Sequence, residues 1–129
     1  MNRRIAVCIL AFPLLSFVGC SGYVSTSSGT DVEVSGTVNG PDGKPVKDVV
    51  LYFQPTGGEA MPNQFPLKNG SFSGKMIAGK YTYYLGAPVQ AGTDQRKAET
   101  ILKSMPAAWK AGSLDRQISV SGGTLELKF

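Results

Sequence analysis

Apolar and polar residues alternate over most of the chain from Val32 onward. Val32, Val34 and Val38 alternate with polar residues or Gly. Val49, Leu51 and Phe53 share one face of a second segment, with Val50, Tyr52 and Gln54 on the other. Phe65 and Leu67, then Phe72, Gly74 and Met76, then Tyr81, Tyr83 and Leu85, continue the pattern, and Ile118, Val120, Leu125, Leu127 and Phe129 close it. A period of two over short runs marks half-buried strands. Between the runs stand turn signals: Asn39-Gly40-Pro41-Asp42-Gly43-Lys44, the Gly/Pro stretch Pro55 to Pro62, Lys68-Asn69-Gly70-Ser71, Ala78-Gly79-Lys80 and Ser121-Gly122-Gly123. The Asn-Gly pair predicts a hairpin turn. Seven short strands with regular turns predict an all-β sandwich.

One segment departs from this period. Between Thr93 and Met105 the apolar residues Ala98, Ile101, Leu102 and Met105 recur at i, i+3, i+4 and i+7, which is helical spacing. Asp94 near the start and Lys103 near the end suit the helix dipole, and Pro106 supplies a stop. A single short helix inserted between two strands is expected, its apolar face packed on the sandwich.

The first residues read differently. Arg3 and Arg4 precede an apolar run, Ile5 to Val18, interrupted only by Cys8, Pro13 and Ser16. That is the length of a secretory h-region and short of the roughly 20 residues of a spanning helix. The run ends at Phe17-Val18-Gly19-Cys20, which resembles a bacterial lipobox, with Phe17 where Leu is usual. The resemblance implies a lipidated Cys20, with residues 1–19 removed as a signal peptide. The competing readings are an ordinary secretory signal and an uncleaved anchor, but nothing near Cys20 supplies an Ala-x-Ala-like peptidase site. Ser21 to Thr30 is a Ser/Thr/Gly tract without periodicity. As a flexible tether it spans roughly 17 Å r.m.s., so the expected organisation is 1–19 signal, 20–30 lipidated Cys and tether, 31–129 sandwich domain.

Charge and cysteine count narrow the function. The formal net charge is +4, and loss of Arg3 and Arg4 lowers it to +2. No Lys/Arg cluster interleaves with aromatics, so nucleic acid is not an expected partner. Of the two cysteines, Cys8 leaves with the signal and Cys20 carries lipid, so no disulfide is expected. The chain contains no His, which removes the commonest general base and metal ligand.

The order of landmarks resembles the carboxypeptidase-regulatory-like, or transthyretin-like, β-sandwich domains, especially the small lipoproteins with this fold in planctomycete-type bacteria. The matching blocks are Val34-Ser35-Gly36-Thr37-Val38, Asp42-Gly43-Lys44-Pro45-Val46 and Val49-x-Leu51-x-Phe53-x-Pro55. They continue with Asn69-Gly70-Ser71-Phe72, Ala78-Gly79-Lys80-Tyr81-Thr82, Met105-Pro106-x-x-Trp109 and Ser113-Leu114. Departures are Asn69 for Asp, Ala78 for Pro, Trp109 for Tyr, and Ser113-Leu114 without an intervening residue. The resemblance implies a single seven-stranded, immunoglobulin-like or transthyretin-like sandwich and a location; it carries no catalytic residue across.

Motifs that suggest chemistry are incomplete. Gly74 to Lys80 fits the opening of a phosphate-binding loop, but Tyr81 stands where a Ser or Thr would hold Mg²⁺. Gly70-Ser71-Phe72-Ser73-Gly74 places Phe where a nucleophile elbow needs Ser. Asp42, Asp48, Asp94 and Asp115 are scattered, so no metal or other cofactor is expected. Candidate ligand contacts are aromatic: Tyr52 and Tyr84, on the outward face of their strands, and Trp109. The opposing expectation is that the tyrosines cover a half-buried sheet and Trp109 plugs an open end of the sandwich. The sequence therefore predicts a monomeric, lipid-anchored, extracytoplasmic module with a structural or binding role in the cell envelope and no catalysis. Its partners would be the membrane, through Cys20, and an envelope glycan or protein. The alternative is a carbohydrate- or peptide-binding module using exposed strand aromatics or a sheet edge.

Overall fold

The alternating segments form seven strands: β1 (Asp31–Thr37), β2 (Val50–Pro55), β3 (Asn63–Pro66), β4 (Ser71–Ile77), β5 (Gly79–Gly86), β6 (Gln117–Val120) and β7 (Gly123–Glu126). One helix, α1 (Thr93–Lys103), and a 3₁₀ turn at Ala107–Trp109 lie between β5 and β6. The computed structural model describes residues 29–57, 60–90, 92–110 and 115–129. The signal and lipobox expectations on Met1 to Cys20, most of the tether, and the Ser113-Leu114 pair lie outside the described residues.

The strands make two sheets, ordered β4-β1-β7 and β3-β2-β5-β6. All pairings are antiparallel except β1 with β7, where Val34 to Thr37 run parallel to Gly123 to Glu126. The inward rows of both sheets form one core: Val34, Phe72, Met76 and Leu125 from the first, Leu51, Phe53, Phe65, Tyr81, Tyr83, Leu85 and Val120 from the second. Phe53 stands at its centre, with the rings of Phe65, Phe72, Tyr81 and Tyr83 at centroid distances of 5.7, 5.9, 6.2 and 6.2 Å. The described residues thus form an all-β sandwich with one short helix.

The chain changes sheet between β1 and β2, β3 and β4, β4 and β5, and β6 and β7. Asn69 and Gly70 have φ of 50° and 77°, the left-handed pair that a two-residue primed turn requires. Lys68 and Ser71 exchange backbone hydrogen bonds of 2.9 and 3.0 Å across them. The expected turn forms, but its arms then separate, β3 into the four-stranded sheet and β4 into the three-stranded one. Burial of Phe65 and Phe72 against each other, 5.7 Å apart, sets this divergence. The next crossing is the corner Ile77 to Lys80, between β4 and β5. There Ala78 N donates to Thr30 O at 2.9 Å on one side, and Thr56 N donates to Lys80 O at 3.0 Å on the other.

The helix follows its spacing: Ala98 and Leu102 are buried in the core, and Ile101 and Met105 pack half-buried against it. It ends where Ser104 N donates to Ile101 O at 3.1 Å, two residues before Pro106.

Candidate functional site

Tyr52 and Tyr84 are cross-strand partners on the outer face of the four-stranded sheet. Their rings stack at 5.2 Å with planes 5° apart. The Tyr52 ring also lies against Gly86, where a Cβ would fall 2.7 Å from it. Its hydroxyl donates to Ala87 O at 2.5 Å. Ring and polar tip are both engaged within the molecule, and the residue is 6% exposed. Burial first, and the neighbouring Tyr84 second, push its phenol above the ordinary value of 10.0. Tyr84 remains half-buried, so an aromatic ligand contact on this face falls to Tyr84 alone.

Trp109 sits at the other candidate position, 9% exposed at the end of the core. The 3₁₀ turn after Pro106 directs it inward, with the Phe129 ring at 4.9 Å. Phe129 in turn meets Tyr83 edge-on at 5.3 Å, and the Arg116 guanidinium lies 5.4 Å from its centroid. Arg116 also donates to Ala108 O. The Tyr83 hydroxyl donates to Lys128 O at 2.7 Å and accepts from Lys128 N at 3.1 Å. These contacts close one end of the sandwich.

Sequence reading missed a groove of about 720 Å³ at the end of the four-stranded sheet where β2 begins. Val49, Val50, Pro66, Leu67, Pro88 and Val89 supply its apolar lining, and Gln64, Gln90, Asp48, Asp94 and Lys97 its polar lining. Lys97 and Asp48 form an ion pair of 3.3 Å there, and Val89 stands 74% exposed. The size suits a small ligand or one or two side chains of a partner. Its residues come from the approach to β2, from β3, from the segment after β5 and from the first turns of α1. No local motif announces it. The exposed Val89 after a Pro is the one local hint.

Other candidates have structural employment. The Gly74 to Tyr81 stretch runs along β4, the corner and β5 rather than a strand-to-helix turn. Asp42 accepts from Lys44 N at 3.1 Å in its turn, and Asp94 lies in the first turn of α1. Among the described residues no group of three or more His, Cys, Asp or Glu could hold a metal ion, and no helix is long and apolar enough to cross a membrane. The sheet edges are β3, β4, β6 and β7. Three are only four residues long and β3 ends on Pro66, features that blunt strand addition. The longer β4 carries Lys75. Comparison with family models, with curated proteins and with solved structures returns no match.

Proposed function

We propose that the chain is a lipid-anchored, extracytoplasmic β-sandwich module with a structural or binding role in a bacterial envelope and no catalysis. One observation carries the reading: Arg3-Arg4, the apolar run Ile5 to Val18 and Gly19-Cys20 lead through a Ser/Thr/Gly tract into β1 at Asp31. The kinship to carboxypeptidase-regulatory-like lipoproteins belongs to the same proposal. Its blocks fall on β1, on the turn before Pro45, on β2, on the Asn69-Gly70 turn and on the β4–β5 corner. Mature protein partitions into the detergent phase of Triton X-114, with a diacylglyceryl mass on Cys20, and Cys20→Ala moves it to the aqueous phase. Two or three acyl chains, at about 0.8 kcal/mol per buried CH₂, hold firmly where one would not. A wild-type N-terminus without fatty acid ends the proposal.

Recognition of an envelope glycan or peptide is the second reading, favoured by the groove beside Val89 rather than by the stacked tyrosines. Glycan and peptide arrays probed with wild type and with Val89→Arg test it. The exposed position makes this substitution neutral for folding, so binding that survives it unchanged places recognition elsewhere.

A further inference from the structure

We propose that the end of the sandwich bearing Met61 rests on the lipid surface, so that the protein stands with the Val89 groove pointing away from the membrane. The inference builds on the proposed anchor at Cys20. It adds a second, protein-made contact with the bilayer.

The geometry begins at the β4–β5 corner. Ala78 holds Thr30, the last residue before β1, and Lys80 holds Thr56, the first residue after β2, through both Thr56 N at 3.0 Å and Thr56 Oγ1 at 3.2 Å. Thr30 and Thr56 are therefore held on either side of the same corner, at one end of the domain. The β2–β3 connection is drawn back on the strand at Ala60, whose carbonyl accepts from Gln54 Nε2 at 2.9 Å. Met61 follows at once and is 84% exposed, between Ala60 and Pro62. Its long, unbranched apolar side chain stands in water at that level, outside the core.

Distance favours this end. A tether of ten residues, as the proposed anchor requires, would span roughly 17 Å r.m.s.. The opposite end, with Val89, lies the length of β2 farther away, roughly 20 Å for six residues at about 3.3 Å each. A solitary exposed apolar residue is ordinary on a free protein, but here it lies on the end that the tether holds nearest the acyl boundary. The charge there is mixed, with Lys80 and Asp31 exposed and Glu33 paired to Lys75 at 3.8 Å. The contact is therefore apolar and does not depend on anionic lipid.

The test uses the full lipidated chain in phosphatidylcholine vesicles. With Cys8 removed and Cys20 acylated, Met61→Cys and Val89→Cys each offer one thiol for an environment-sensitive dye. The dye at position 61 shows blue-shifted emission and is quenched by spin-labelled lipid, while the dye at position 89 stays water-like. A dye-free readout uses the native side chain: peroxide oxidises Met61 several-fold more slowly in anchored protein than in unlipidated Cys20→Ala protein. Protein that floats with the vesicles but shows water-like emission at both positions and equal oxidation rates overturns the contact and leaves the anchor standing. Protein that does not float with vesicles overturns both.

Discussion

Tyr52 covers Gly86. The two residues sit on neighbouring strands, Gly86 two residues beyond Tyr84, the register partner of Tyr52, and the ring occupies the space a side chain at 86 would take, 2.7 Å from where its Cβ would lie. An aromatic that shields a strand glycine while stacking on Tyr84 at 5.2 Å stabilises the outer face of its sheet. Tyr52→Phe keeps ring and stack and loses the hydroxyl donated to Ala87 O, for a cost of about 1 kcal/mol. Tyr52→Ala uncovers Gly86 and costs about 3 kcal/mol. Urea melts of the two variants measure the difference; equal midpoints for Ala and wild type would remove the covering role.

Alkali should expose the same burial. The Tyr52 and Tyr81 phenols are both raised above 10.0, Tyr81 by burial alone and Tyr52 by burial and then Tyr84. Above pH 10 the unfolded chain releases these protons before the folded one, so unfolding binds fewer protons and stability falls with pH. Their contribution is complete below pH 10 and is lost as pH climbs from 10 through the raised folded values. Melting temperature is therefore insensitive to these two phenols up to about pH 9. Above pH 10 it falls more steeply in wild type than in Tyr52→Phe/Tyr81→Phe, and parallel curves there would refute the linkage.

Two strand glycines make room for rings, Gly74 for Phe65 of the opposite sheet and Gly36 for Phe72, its register partner on the neighbouring strand. A Cβ at Gly74 would lie 2.5 Å from the Phe65 ring, whereas one at Gly36 would meet both Leu125 O and the Phe72 ring at 2.7 Å. A ring can tilt aside; a carbonyl fixed in the β1–β7 ladder cannot. Overpacking costs about 1–3 kcal/mol, and Gly36→Ala belongs at the upper end with Gly74→Ala below it. Paired denaturant melts rank them.

What the sequence made legible, and what it did not, follows from the range of each signal. Alternation at Leu51/Phe53 and Tyr81/Tyr83/Leu85 tells which residues share a face, so strands and core were readable. The Asn69-Gly70 pair announces a turn because positive φ is a local property. Which sheet each arm then joins depends on Phe65 meeting Phe72, a contact that no window of sequence contains. Periodicity likewise assigned Tyr52 to the outer face without telling that Gly86 and Ala87 would complete its surroundings. The groove was least readable, being assembled from four separate segments, of which only Val89 stands out locally.

The remaining prediction concerns Trp109, whose ring is held by Phe129 at 4.9 Å, itself beneath Arg116 and against Tyr83. If the indole closes the end of the core, Trp109→Ala costs about 3–5 kcal/mol. Trp109→Tyr is milder, since a phenol keeps an apolar body facing Phe129. Phe129→Ala should weaken the same end, and the double variant should cost less than the two single changes together, with a coupling of about 0.5–1.5 kcal/mol. Tryptophan emission of the wild type is blue-shifted from the free indole value and moves red on unfolding. Water-like emission in the native protein, together with an unchanged midpoint for Trp109→Ala, would make the ring an exposed platform and transfer it from the core to ligand recognition.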